Sequence, residues 1–234
     1  MLLSIDTSTK AIGAALYDDR VPGGSVLASA VHLDSRRHGE LLAPAIVQIL
    51  EEAQVDRTQI TGIVCGVGPG PFTGLRVGVV TALVLARSLD LPRPAGVCSL
   101  DALAHSVIDR HEGALLVATD ARRKEVYWAV YDVRPTGAHR VSGPGVCRAA
   151  DLPADVRALP TLGRGHELYP EALTHPLDDA PLDVDPGVLA DLAARLIAGE
   201  HGDAQAGEGW GLLVPEPLYL RRPDAVALPV KASR

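Results

Sequence analysis

Apolar and polar positions follow two rhythms along this chain, and each change of rhythm marks an element. Leu2-Leu3-Ser4-Ile5 and Ala11 to Tyr17 are short apolar runs on either side of the polar cluster Asp6-Thr7-Ser8-Thr9-Lys10. They predict two strands joined by a hydroxyl-rich turn. Pro22-Gly23-Gly24 then turns the chain into a third strand, Ser25 to Leu33. From Glu40 the apolar positions Leu41, Leu42, Ala45, Ile46, Ile49, Leu50 and Ala53 recur at three-to-four spacing, with Gln48, Glu51 and Glu52 opposite them, which predicts an amphipathic helix. Pro44 must mark its first turn or kink it. Gly62 to Val67 reads as a buried strand, the Gly/Pro stretch after it as a loop, and Gly74 to Ser88 as a helix with Thr73 as N-cap. Ala95 to Cys98 and Leu100 to Ile108 add a strand and a short helix.

The pattern then starts again. Ala114 to Thr119 and Val126 to Val133 flank the polar turn Asp120-Ala121-Arg122-Arg123-Lys124-Glu125, and an Asp ends the first strand of each pair. The chain therefore reads as an α/β protein built on a duplicated strand-turn-strand unit. A first lobe over residues 1–110 carries the strand meander and two packed helices; a second, smaller lobe over residues 111–234 includes the C-terminal tail. Beyond Pro135 the signal fades among Pro, Gly and Asp. The one firm element there is a helix from Pro186 to Ile197, capped by Asp185 and stopped by Gly199; the tail Pro217 to Arg222 reads as a short apolar strand or an extended segment. The acidic, proline-spaced stretch 170–185 reads as a solvated connection.

Composition narrows the class. Of 234 residues 47% are hydrophobic but only 3% aromatic, which calls for a large aliphatic core and excludes disorder. The uncharged stretch Thr58 to Leu75 holds five glycines and two prolines and cannot be a membrane span. The start reaches a carboxylate at Asp6 without a basic region, so a cytoplasmic protein is expected. Cys65, Cys98 and Cys147 fit neither a disulfide framework nor a zinc site and read as small buried residues. The net charge of −7 argues against a stand-alone nucleic-acid binder, so any RNA contact must be local or shared.

Four constellations are candidates for chemistry. Gly66 to Arg76 lies between strand and helix, where phosphates are often cradled, but it lacks a terminal Lys-Ser/Thr, and Pro69 and Pro71 remove two N–H donors. A rigid turn is the plainer reading. Asp6, Thr7 and Ser8 have the groups for a remnant nucleotide or metal site, yet no glycine lets a phosphate approach; a turn capped by its own side chains fits equally well. Gly74, Gly78, Ala82 and Ala86 form a stripe of small residues on a helix that is apolar on its other faces, with Arg76 and Thr81 as its polar members. Such a helix is either the central helix of the fold or half of an interface. Arg122-Arg123-Lys124 is either a solvated basic turn or a contact for a partner or RNA. The eight histidines include no H-x-x-H or H-x-x-x-H pair, so no metal site is expected.

The segments Leu3-Ser4-Ile5-Asp6-Thr7-Ser8, Arg37-His38-Gly39-Glu40-Leu41-Leu42-Ala43-Pro44, Gly66 to Gly78, Asp120-Ala121-Arg122 with Glu125-Val126-Tyr127, Gly163-Arg164-Gly165-His166 with Tyr169, and Pro217 to Arg221 resemble, in this order, the bacterial TsaB (YeaZ) family. The G-x-G-P-G-x-F-T-G-x-R loop is the most specific of these; Pro71 stands where the family more often has Ser. The resemblance implies a two-lobed, duplicated ribonuclease-H-like fold of the actin, Hsp70 and sugar-kinase type with a reduced second lobe. It implies a non-catalytic role in making N6-threonylcarbamoyladenosine at position 37 of tRNA, as the partner that activates the transferase TsaD. The implied partners are a TsaD homologue, a TsaE-type ATPase, a second copy when the chain is alone, and tRNA indirectly. ATP and a metal are expected in those partners, and no cofactor in this chain. The interface is expected to use His38, Leu41, Leu42, Ala45, Ile46, Ile49, Phe72, Thr73, Gly74, Arg76, Val77, Gly78, Thr81 and Ala82. A self-sufficient ATPase or small-molecule kinase of the same fold is the alternative.

Overall fold

The computed structural model describes residues 1–34, 37–199 and 211–221. β1 (Leu2–Asp6), β2 (Ala11–Asp18) and β3 (Ser25–Leu33) form the antiparallel meander that the alternating runs predict. β4 (Gly62–Gly68) and β5 (Ala95–Cys98) extend it in parallel, giving the order β3-β2-β1-β4-β5. Every residue of β1 is buried, which is why the strand shows no alternation in sequence. The two crossover helices, α1 (His38–Glu52) and α2 (Phe72–Ser88), cover one face of this sheet through Leu42, Ala45, Ile46, Ile49, Val79 and Ala82.

The second sheet repeats the first. β6 (Gly113–Asp120), β7 (Glu125–Arg134), β8 (Gly137–Arg148) and β9 (Thr161–Leu162) are ordered β8-β7-β6-β9, with the last pair parallel, matching β3-β2-β1-β4 place for place. Its crossovers are reduced to the four-residue helices α4 (Ala154–Arg157) and α5 (Gly165–Leu168). This is the two-lobed α/β fold of the actin, Hsp70 and sugar-kinase type.

The structure departs from the sequence expectations at several points, among them the stretch 170–185, where Ala172, Leu173 and Val184 are buried and not solvated. α2 begins at Phe72 with Pro71 as its extended N-cap, so Thr73 lies inside the first turn instead of capping it. The long edge strand β8 was not predicted; it carries Gly143 and Pro144 where its register with β7 shifts, a place where an edge strand tolerates them. The chain is also not divided cleanly at residue 110. α3 (Ser99–His105) and the C-terminal helix α6 (Pro186–Ala198) both lie between the two sheets, in one core with Leu2, Tyr17 and Val64 of the first sheet and Leu115, Ala129 and Tyr131 of the second. Ser4 Oγ donates to the carbonyl of Pro186 across 2.5 Å, and Pro186 also fills the space a Cβ on Gly13 would need. α6 itself is capped as its sequence requires: the Asp185 carboxylate accepts from Gly187 N, and Gly199 closes it at φ 71°.

A last segment, 213–221, straps the lobes together. Gly96 of β5 and Leu213 exchange two 2.8 Å backbone hydrogen bonds, and Leu218 N donates to the carbonyl of Val67. Tyr219 stacks on Phe72 with ring centroids 5.0 Å apart, and Arg221 donates to the carbonyl of Ala121 (2.8 Å) and pairs with Glu125. Arg222 lies outside the described residues. No helix among the described residues is long and apolar enough to cross a membrane.

Candidate functional site

The turn between β1 and β2 is where a protein of this architecture would meet a phosphate, and here it is closed from within. Asp6, Thr7 and Ser8 are all buried. Asp6 Oδ1 accepts from the N–H and hydroxyl of Ser8 (2.8 Å each), and Oδ2 accepts from Ser99 Oγ at 2.6 Å. Burial raises the Asp6 pKa even though the Ser99 hydrogen bond opposes the shift. The glycine-rich loop explains the burial. A Cβ on Gly66 would sit 1.8 Å from the Asp6 carboxylate, and one on Gly70 would sit 2.4 Å from the Ser8 carbonyl. The loop's glycines therefore let it lie against the turn. Asp6, Thr7 and Ser8, expected as a remnant nucleotide site, are buried beneath it, with Asp6 bonded to Ser8 and Ser99 and Thr7 to the Gly74 carbonyl.

Between the lobes, Thr9, Lys10, Pro71, Asp120, Arg122, Arg164 and Asp183 line a small cavity of about 10 Å³. Arg164, on the predicted Gly163-Arg164-Gly165-His166 element, holds Asp183 through Nε and Nη2, the shortest contact being 2.6 Å. At the mouth of the cleft Arg122, Arg123 and Lys124 are all exposed, and all three have left-handed backbones, with φ of 61°, 52° and 65°. Asp120 fixes this turn: its Oδ1 accepts from Arg122 N at 2.7 Å.

The interface predicted on α1 and α2 divides in two. His38, Leu42, Ala45, Ile46, Ile49, Gly74, Gly78 and Ala82 are buried within the chain and are corrected from partner contacts to packing residues. The small-residue stripe faces inward for a definite reason. Thr7 Oγ1 donates to the carbonyl of Gly74 (2.7 Å), and a Cβ on Gly78 would approach that hydroxyl to 2.3 Å. The close approach that small residues permit is used by the β1–β2 turn. His38 Nε2 lies 3.3 Å from the Thr9 carbonyl, tying α1 to the same turn.

Phe72, Thr73 and Arg76 are exposed and Leu41, Val77 and Thr81 half-buried, so this part of the prediction does face outward. Val47, Val80 and Val84 join them at 54%, 51% and 59% exposure, and none of the three was in the predicted set. Phe72, Thr73, Arg76, Val77, Val80, Thr81 and Gly39 line an open groove of about 500 Å³. Arg76 lies 5.1 Å over the Phe72 ring and Tyr219 stacks on the same ring, so the strap and the groove meet at one residue.

Two polar networks lie between the lobes, a half-buried one around Asp191 and a buried one around Asp101. Asp191 accepts from Tyr17 (2.7 Å) and Arg195 (2.9 Å) and lies 2.8 Å from His105 Nε2. Burial alone would raise its pKa, but His105, Tyr17 and the Arg195 charge hold it at about 2. Asp101 accepts from Tyr131 at 2.7 Å and lies 3.6 Å from Arg140, whose side chain is equally buried. Burial pushes the Asp101 pKa up to about 6 in spite of that cation. The partners come from distant segments, so the sequence gives no sign of either network. Burial likewise pushes the thiol pKa of Cys65 up to about 12 and that of Cys98 higher still, and both stay protonated and unreactive.

Comparison with known proteins bears on the whole chain. Residues 26–161, more than half of it, match the family model described as TsaD, tRNA N6-adenosine threonylcarbamoyltransferase. An uncharacterized protein of Mycobacterium tuberculosis is 36% identical over 231 residues, covering 98% of this chain and 95% of that protein. The Escherichia coli tRNA threonylcarbamoyladenosine biosynthesis protein TsaB is 39% identical over 132 residues, covering 56% of this chain and 54% of that protein. The solved structure of YeaZ from Pseudomonas aeruginosa superimposes with a TM-score of 0.72 at 29% identity, over 94% of this chain and 99% of that one. A sealed phosphate turn, a duplicated sheet with a reduced second lobe and these likenesses agree, and the chain belongs to the TsaB (YeaZ) family.

Proposed function

We propose that this chain acts in the biosynthesis of tRNA threonylcarbamoyladenosine as a non-catalytic subunit that binds and activates a TsaD-type transferase. The observation that carries this reading is a combination on adjoining elements. The β1–β2 turn, which would hold phosphates in an ATPase of this fold, is filled by the chain's own glycine loop, while the helix that follows the loop presents an open apolar groove. A chain whose glycine loop closes over its β1–β2 turn and which presents a solvent-facing row of valines is suited to packing on another protein. The groove at Phe72, Arg76, Val77 and Val80 forms the contact, the catalytic metal and ATP belong to the TsaD and TsaE-type partners, and a second copy covers the same face when the chain is alone.

The test is co-expression with the TsaD homologue of the same organism. Co-elution, and tRNA modification that needs both proteins, are the expected results. ATP turnover or sugar phosphorylation by the purified single chain would overturn the reading in favour of a kinase or ATPase. Val80→Glu places a charge in the groove at a half-exposed site, so it should abolish co-elution while leaving the melting temperature within about 2 °C. A folded Val80→Glu chain that still co-elutes removes the groove from the interface.

A further inference from the structure

We propose that the turn Arg122-Arg123-Lys124, with Lys10 across the cleft mouth, is a contact for the phosphate backbone of tRNA, so that this subunit carries part of the RNA-binding track itself. The identity of the RNA rests on the proposed function; the polyanion chemistry does not.

The first observation is conformational. Three successive residues with β-carbons lie in the left-handed region, at φ 61°, 52° and 65°. L-residues other than Gly visit that region as single residues, and Asn and Asp do so most readily. Here it is held by two long arginines and a lysine, none of which lowers its cost. The surrounding structure enforces the conformation: Asp120 accepts from Arg122 N, Glu125 N donates to the Arg122 carbonyl at 2.9 Å, and Ala121 N donates to the Glu125 carbonyl at 3.0 Å. An unfavourable backbone kept in place by its neighbours, with three exposed cations on it, points to a use for those cations.

The second observation is electrostatic. At the turn Asp120 lies 3.2 Å from Arg122 and Glu125 pairs with Arg221, and across the cleft Asp183 pairs with Arg164. Lys10 and Lys124 have no carboxylate within ion-pair distance among the described residues. In a chain of net charge −7, Arg122, Arg123, Lys124 and Lys10 gather four cations at this rim. Exposed lysines are depleted at the buried centres of protein interfaces, whereas they are ordinary partners of phosphate oxygens.

The third observation is position. Arg122 and Pro71 line the same cleft, and Pro71 directly precedes Phe72 at the groove. Arg221 bonds the basic turn two residues after Tyr219 stacks on Phe72. An RNA handled by a protein seated in the groove would thus pass the turn without leaving the assembly.

The experiment uses the chain assembled with its TsaD-type partner and unmodified tRNA, with affinity measured from 50 to 200 mM salt. The variant Arg122→Asn/Arg123→Asn/Lys124→Asn removes the charge but keeps residues that accept the left-handed turn. Each lost phosphate contact lowers the slope of log affinity against log salt by roughly 0.7 to 0.9, so a fall of about 2 and a roughly tenfold or greater loss of affinity at low salt are expected. Partner association and melting temperature should stay at their wild-type values. An unchanged slope and affinity in an intact complex would overturn the proposal. Loss of partner association with tRNA affinity intact would overturn it too, by assigning the turn to a protein contact. The same titration on the chain alone separates this idea from the partner reading: a slope that depends on the turn without any TsaD-type protein leaves the RNA contact standing even where that reading fails.

Discussion

At the scale of single residues, the structure turns glycines that suggested ligands or partners into places of close packing. Gly78 lies against Thr7, and a methyl group there would meet the Thr7 hydroxyl that the Gly74 carbonyl needs. Gly78→Ala should therefore destabilise the chain by about 1–3 kcal/mol through overpacking, against the slight gain a helix normally draws from that change. A thermal melt checks it, since this amounts to roughly 2–12 °C for a chain of this size. Asp101 gives a pH-dependent prediction. Its pKa of about 6 in the folded chain lies above its ordinary value of 3.8, so its contribution is complete below about pH 4 and is lost as pH rises through 6. Asp101→Asn should be close to wild type in stability at pH 4, where the wild-type carboxyl is itself neutral. By pH 7 the wild type should lose about 3 kcal/mol relative to the variant, as its carboxylate ionises in a buried site. A difference that stays constant from pH 4 to 7 in denaturant titrations would mean that Asp101 is ionised throughout. Asp191 acts in the opposite sense: held at about 2, it contributes above pH 4 and loses that contribution as the pH falls toward 2.

At the scale of elements, legibility followed how local the cause was. β1, β2, α1 and α6 announce themselves through period, caps and turns, because the residues that fix each one are its neighbours in sequence. α2 was legible as a helix but not as a helix with a direction. It is apolar on all sides, so periodicity could not say that Gly74, Gly78 and Ala82 face the β1–β2 turn while Val80 and Val84 face solvent. β8 was lost because Gly143 and Pro144 look like a loop wherever the partner strand is out of sight. The sequence of the strap carries no sign of its destination, since its partners Val67, Phe72, Gly96 and Ala121 are all far away in sequence. Tyr219→Ala tests its anchoring. Loss of the stack on Phe72 should cost about 1 kcal/mol in chemical denaturation and leave Arg76 with a more mobile ring beneath it.

At the scale of the whole molecule, the duplicated sheet was foreseen from the repeated strand-turn-strand pattern, and the family was foreseen from the glycine-rich loop. The way the lobes join was not. α3, α6 and the strap all lie between or across the two sheets, and the carboxylates Asp101 and Asp191 both take partners from more than one segment. Two-lobed proteins of this architecture are often pictured as hinges around a ligand. Here α3, α6 and the strap tie the two sheets together through one shared core and through backbone and ring contacts.

The placement of α6 also has a consequence for the order in which the protein comes into being. Synthesis delivers β1 to β5 first, yet the face of that sheet carrying Leu2, Tyr17 and Val64 is covered by a helix that starts only at Pro186. Until then the nascent chain holds an aliphatic surface open, and the contacts that close it span most of the sequence, which slows their formation. A fragment ending at residue 110 should accordingly bind a hydrophobic dye and precipitate at concentrations where the full chain stays clear, even though it contains a complete five-stranded sheet. The first half of this protein waits on the ribosome for the last.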